Sequence, residues 1–140
     1  MEIRKNLAKK IIIDRAPKKQ ESLISSIAKK RSIENYLFAS RYIKGKNVLD
    51  IGGSVGIGYD LLLKQNPKKI ICIDPFIDSE KKILVKDKRV EFIAKDFLEN
   101  NFKSNSFDVI LCLGTIFYIK DHKKLFSEIK RILKKKDFYL

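Results

Sequence analysis

"NVLDIGGSVGIG", residues 47–58, carries a short apolar strand-like run into a turn that holds four glycines. Glycine loses the most backbone freedom on ordering, so glycines this dense imply that backbone must come close to something there. Downstream of the turn the pattern alternates. "GYDLLLKQ" (58–65) reads as a short helix stopped by Asn66-Pro67, and "KIICID" (69–74) as a continuous apolar strand of the kind covered on both faces. "SEKKILVK" (79–86) is a weaker helix, while "RVEFIAKD" (89–96) and "FDVILCLG" (107–114) are two more strands. "DHKKLFSEIKRILKKK" (121–136) comes next, with Leu125, Phe126, Ile129, Ile132 and Leu133 as one apolar stripe and Asp121 at its cap. "DFYL" (137–140) opens a fifth strand. Strand alternating with helix predicts an α/β fold, a Rossmann-like parallel sheet of about five strands flanked by helices.

Upstream, "SIENYLFASRYIK" (32–44) has helical spacing, with Ser32 as a plausible cap and Gly45 as its stop. Residues 1–31 read as a basic, partly helical extension broken at Ala16-Pro17, leaving 32–140 as the main domain. At 140 residues the chain suits one principal domain, and 44% hydrophobic residues with 10% aromatics fit a soluble protein with a real core. No stretch approaches the roughly 20 apolar residues of a membrane span, and the N-terminus lacks an apolar signal region, so a cytoplasmic location is expected. Cys72 and Cys112 sit in apolar runs and read as reduced, buried thiols; neither a disulfide framework nor a metal site is expected.

The formal charge is +14, and residues 1–46 hold 13 Lys/Arg against 4 Asp/Glu. Such a balance suits an anionic partner. Yet 25 of the 31 basic residues are Lys and only 6 are Arg, a bias that an AT-rich genome imposes on every protein. Arg is the residue suited to bidentate reading of phosphate and guanine, so nucleic acid is not the favoured partner.

The glycines at 52, 53, 56 and 58 do not give the G-x-G-x-x-G spacing of a dinucleotide loop, nor does Gly-Lys-Ser/Thr follow as in a phosphate loop. Asp50, directly before the turn, would repel a pyrophosphate and attract a cation or an ammonium group. Asp74, ending the second strand before Pro75, is placed to accept hydrogen bonds from the two hydroxyls of a ribose. By itself it would read as an ordinary turn residue; the glycine turn shifts the balance toward a nucleoside with a positive end.

"VLDIGGSVGIG", "IICIDP", "VEFIAKDF" and "FDVILCLGTIFYI", in this order and spacing, resemble class I S-adenosylmethionine-dependent methyltransferases, most nearly the type-11-like group. The resemblance covers residues 33–140. It implies that Asp50 and the Gly52, Gly53, Ser54 and Gly56 turn hold the methionine portion of S-adenosyl-L-methionine. It further implies that Asp74 grips the ribose, with Pro75 and Phe76 beside the adenine. Asp96 and the amide of Phe97 would meet the adenine edge, and Leu113 would wall the methyl side.

Two departures stand out. Ser54 replaces a glycine usual in the family, and the sequence stops where the family's fifth strand begins, so a partner chain or second copy is expected over that sheet edge unless the chain continues. Methyl transfer needs alignment first and a base only for acceptors that must lose a proton. Tyr118, Asp121 and His122 are near the strand ends, but a packing role, a cap and a solvated side chain explain them better, so no catalytic base is assigned. Tyr36 and Phe38 read as packing on the sheet, with a lid over the cofactor as the alternative. "GTIFYIK" lacks the Asn/Asp-Pro-Pro-aromatic run of amino-group methylation of bases. The expected activity is therefore methyl transfer to a small molecule, sugar or lipid-linked intermediate. An inert cofactor-binding module and an RNA-directed methyltransferase are the alternatives.

Overall fold

A computed structural model describes residues 18–54, 56–77 and 85–135, with helix and strand side chains from residue 25 onward. The expected break at Ala16-Pro17, most of the 79–86 helix and the 137–140 strand lie outside these residues. Packing divides the chain into Met1–Arg31 and Ser32–Leu140, and the second unit contains the whole sheet.

Four parallel strands form that sheet: β1 (Asn47–Ile51), β2 (Lys69–Ile73), β3 (Val90–Ile93) and β4 (Val109–Leu111), in the order β3-β2-β1-β4. The strand count among the described residues is thus four, not about five. After the last helix, Leu133 makes only an isolated parallel bridge to Phe107 beside β4. The helices are α1 (Lys18–Ala39), α2 (Tyr59–Leu63) and α3 (His122–Ile132). No helix among the described residues is long and apolar enough to cross a membrane.

Helix α1 corrects the expected start at Ser32, which lies inside it. The segment before Ser32, "KKQESLISSIAKKR", contains no glycine or proline and is rich in good helix formers, so nothing there interrupts the helix. It has almost no apolar stripe, which is why periodicity does not reveal it. Helix α1 passes into a 3-10 turn, Ser40–Tyr42, and Gly45 takes a positive φ of 67° in the following bend.

Alternation along the strands sends side chains to two cores. Val48 of β1, Ile70 and Cys72 of β2 and Leu111 of β4 pack with Tyr36, Ala39, Ile43, Tyr59 and Leu62 on one face. Leu49, Ile51 and Ile73 pack with Phe97, Phe107, Leu125 and Ile132 on the other. Full burial of a side chain such as Leu125 contributes roughly 1.5–3 kcal/mol. Asp121 caps α3 as expected, accepting from the Lys124 amide at 2.9 Å. The apolar stripe is narrower than its sequence: Phe126 is 56% exposed and Leu133 lies past the helix end.

Helix α3 is tied to the turn after β3 by a polar cluster. Arg131 pairs with Glu128 at 2.7 Å and donates to the Phe102 carbonyl at 2.6 Å. Asn100 donates to Glu128 at 3.0 Å and to the Phe97 carbonyl at 2.7 Å. The Arg131 guanidinium holds the Glu128 carboxyl below its usual range. This cluster fixes the segment that carries Asp96 and Phe97.

Candidate functional site

The parallel sheet collects its loops at the carboxyl ends of the strands, where open α/β sheets bind ligands. β1 delivers Asp50 and the glycine turn, β2 delivers Asp74, and β3 leads to Asp96 and Phe97. β4 leads to Leu113 and Thr115.

Backbone hydrogen bonds fold the glycine turn back over β2. The Gly52 amide donates to the Ile73 carbonyl at 2.9 Å, and the Ser54 amide donates to Asp74 Oδ2 at 3.0 Å. A side chain at Gly52 would overlap Thr115, so this position brings the turn against the loop after β4. Ser54 has φ 52°, in the left-handed region where glycine is usual. The family's glycine is therefore replaced by a residue that keeps the glycine conformation. Ser54→Gly is expected to leave stability within about 1 kcal/mol, because relief of left-handed strain is offset by greater unfolded-state freedom. Ser54→Val should lose about 1–2 kcal/mol, since a β-branched residue tolerates that region poorly. Urea unfolding of the two variants checks both values.

Asp74 is 6% exposed, and its Oδ1 accepts from the Phe76 amide at 2.8 Å. Each carboxylate oxygen has more than one acceptor site, so both remain able to accept a ligand hydroxyl. Pro75 and Phe76 come next, half-buried. Asp96 is exposed and caps the 3-10 turn Phe97–Glu99, accepting from the Leu98 amide at 2.9 Å. The Phe97 ring is core at 2% exposure, which leaves only its backbone for a ligand. Leu113 is half-buried against the Tyr36–Tyr59 core. The structure thus brings the turn, Asp74, Pro75 and Phe76 together on β1 and β2, with Asp96 and Leu113 on the adjoining loops.

Asp50, which the resemblance sets against the methionine portion, has a covered carboxylate. It is 1% exposed and lies beneath the turn. Its Oδ2 accepts from both Tyr36 and Tyr59 hydroxyls, each at 2.7 Å, while its buried Oδ1 has no hydrogen-bond partner among the described residues. The physical reason is its register opposite Cys72 in the sheet interior, on the face that α1 and α2 cover. Burial pushes its carboxyl up to about 6, against the two phenol hydrogen bonds that pull it down. The same burial raises both phenols well above their usual range and pushes the Cys72 thiol up to about 12. Cys72 and Cys112 are free thiols, Cys72 buried and Cys112 half-buried. No group of three or more His, Cys, Asp or Glu among the described residues could hold a metal ion.

Tyr36, Tyr59 and Thr115 are the residues that sequence reasoning missed at this site. Tyr36, expected to pack or to form a lid, does pack, with its ring edge-on to Tyr59 at 5.7 Å, but its hydroxyl also serves Asp50. Phe38, the other lid candidate, is 58% exposed and instead lies tilted against Tyr42, with the Arg41 guanidinium over its ring. A usable signal existed, since a carboxylate inside an apolar strand demands buried donors, and tyrosine is the large apolar side chain that brings one. The base candidates are otherwise engaged or open: Asp121 caps α3, exposed His122 places Nε2 3.1 Å from the Ile116 carbonyl, and Tyr118 is 70% exposed.

Residues 49–140 match the methyltransferase domain family. A tRNA U34 carboxymethyltransferase of Helicobacter pylori is 30% identical over 105 residues, which is 66% of this chain and 38% of that protein. The chain therefore spans less than two fifths of the length of the curated relatives it matches. Among solved structures, a Methanococcus maripaludis protein provisionally assigned as an S-adenosyl-L-methionine-dependent methyltransferase superposes with a TM-score of 0.64 at 25% identity, covering 81% of this chain and 57% of that one. The Haemonchus contortus phosphoethanolamine N-methyltransferase 2, solved with phosphomonomethylethanolamine and S-adenosylhomocysteine, gives 0.61 at 31% identity over 72% of this chain and 26% of that one. The same enzyme has been solved with S-adenosyl-L-methionine.

Proposed function

Because the chain belongs to the methyltransferase domain family, we propose that it binds S-adenosyl-L-methionine through residues 32–140 and passes the methyl group to an acceptor. The observation that carries this reading is the 3.0 Å hydrogen bond from the Ser54 amide to Asp74 Oδ2, which joins the glycine turn to the tip of β2. That junction sets the exposed backbone of the turn and a carboxylate side by side, with no phosphate-binding signature. It suits a nucleoside that carries positive charge.

When bound, S-adenosylmethionine supplies a methyl group already activated by its sulfonium. The turn of Gly52, Gly53, Ser54 and Gly56 would hold its methionine portion, and Asp74 would accept from the ribose hydroxyls. Pro75 and Phe76 would flank the adenine, whose edge Asp96 and the Phe97 amide would read. Leu113 would wall the methyl side. Alignment of acceptor and methyl group then supplies most of the acceleration, and effective molarities for such alignment correspond to about 7–11 kcal/mol at best.

A small-molecule acceptor is favoured by the likeness to the phosphoethanolamine enzyme, whose acceptor is small. An RNA acceptor is the second reading, favoured by the tRNA-modifying relatives and by the +14 charge. Titration calorimetry with S-adenosylhomocysteine should show one site with a dissociation constant below about 1 mM; no heat at millimolar ligand would refute cofactor binding. Labelled methyl transfer in a cell extract, split into RNA and small-molecule fractions, decides the acceptor. Label in RNA would overturn the small-molecule reading, and label in neither fraction would leave a binding module without transfer.

A further inference from the structure

We propose that Tyr36 and Tyr59 are positioning residues for cofactor binding, holding Asp50 as a buried anion whose charge draws the α-ammonium group of S-adenosylmethionine onto the glycine turn. This rests on the proposed cofactor binding and adds two residues from outside the glycine and acidic motifs.

Both phenols reach one oxygen of Asp50, at 2.7 Å each, and the buried Oδ1 has no hydrogen-bond partner among the described residues. A carboxylate taken out of water normally keeps a cation or a full set of donors. Asp50 has half such a set. Among the described residues the titratable groups around it are Tyr36 on α1, Tyr59 on α2, Cys72 on β2, Asp74 just past its end and Cys112 after β4, all of them acids. None of these supplies a positive charge. A ligand's ammonium group would.

The turn that covers Asp50 is the one that meets the ligand. A side chain at Gly53 would collide with Asp50 Oδ2 and the Tyr59 hydroxyl, so the turn backbone lies directly on the carboxylate. Charge acts across that thin layer without contact, because the interior screens far less than water does. An ammonium seated on the turn therefore feels Asp50, while the nucleoside part, held by Asp74, does not depend on it. The two phenols set the strength of this effect. Hydrogen bonds to a charged group are among the stronger ones, and here they stabilise the ionised form of Asp50 against its burial.

The test titrates the full chain with S-adenosylhomocysteine, which has the ammonium group, and with 5′-methylthioadenosine, which lacks the amino acid. At pH 6, Tyr36→Phe and Tyr59→Phe are each expected to weaken S-adenosylhomocysteine about tenfold and to leave methylthioadenosine within twofold. The pH below which S-adenosylhomocysteine binding fades should also rise in both variants, because a hydrogen bond that favoured the anion has gone. Equal weakening of both nucleosides would show that the tyrosines merely hold the fold, and unchanged S-adenosylhomocysteine affinity would show that they do nothing for the ligand. Either result overturns the proposal. Should one variant not fold, the other still decides, and a wild-type affinity for S-adenosylhomocysteine that does not fall in acid would also overturn the proposal. If wild type binds neither nucleoside, the cofactor reading fails first and the positioning role falls with it.

Discussion

Gly53→Ala is expected to abolish measurable S-adenosylhomocysteine binding and to destabilise the fold by about 3–5 kcal/mol. The added methyl group would be driven into Asp50 Oδ2 and the Tyr59 hydroxyl, both of which are buried. Neither neighbour can yield cheaply. Tyr59 is 0% exposed and its ring stacks on Phe92 at 6.0 Å, while Asp50 lies in a strand paired on both sides. Overpacking of this kind costs about 1–3 kcal/mol, and loss of a hydrogen bond to a charged group adds about 1.5–3. The turn must lift away from β1 to relieve the clash, which also breaks the Ser54–Asp74 junction. Urea unfolding and calorimetric titration of the same sample read both effects. A variant as stable as wild type, with unchanged affinity, would contradict this packing.

The second large effect separates stability from binding by pH. The Asp50 carboxyl lies near 6, above its ordinary value of 3.8, because it is buried. A carboxyl raised in this way contributes its full stabilisation below the unfolded value and loses it as pH rises through the folded one. Taking wild type minus Asp50→Asn to isolate this group, stability should increase by about 1 kcal/mol from pH 7 to 5 and by about 2 kcal/mol from pH 7 to 4. Binding should run the other way. Wild-type affinity for S-adenosylhomocysteine falls up to tenfold per pH unit below about 6, as the anion disappears. Asp50→Asn should bind at least tenfold more weakly at pH 7.5 and show no such slope. Thermal unfolding across pH, with titrations at matching points, would test both slopes; a variant that keeps the wild-type slope would remove Asp50 as its origin.

The sheet was legible because its central strands announce themselves. "NVLDI" and "KIICI" are nearly continuous apolar runs bounded by glycine or proline, and they form β1 and β2 with the expected limits to within a residue. β4 is shorter than "FDVILCLG", since edge pairing with β1 reaches only from Val109 to Leu111. Helix α1 was half legible: its Ser32–Ala39 part carries the buried Tyr36 and Ala39, whereas the helix as a whole shows almost no apolar stripe. At the site, Asp74 and the turn stand out from spacing. The environment of Asp50 does not, because its two donors are 14 and 9 residues away in sequence and a tyrosine's hydroxyl does not declare its partner. Sequence reading placed the acid; only three-dimensional packing could show that it was covered.

The phenol pair also bears on how the chain chooses its pairing. Strand side chains alternate, so a one-residue slip of β1 would carry Asp50 to the opposite face of the sheet, among Phe97, Leu125 and Ile132. None of those side chains offers a donor, and a bare carboxyl there would be heavily penalised. An aliphatic residue at position 50 would accept either face almost equally. Asp50 thus acts as an address label written into β1, favouring the register in which two tyrosines meet it.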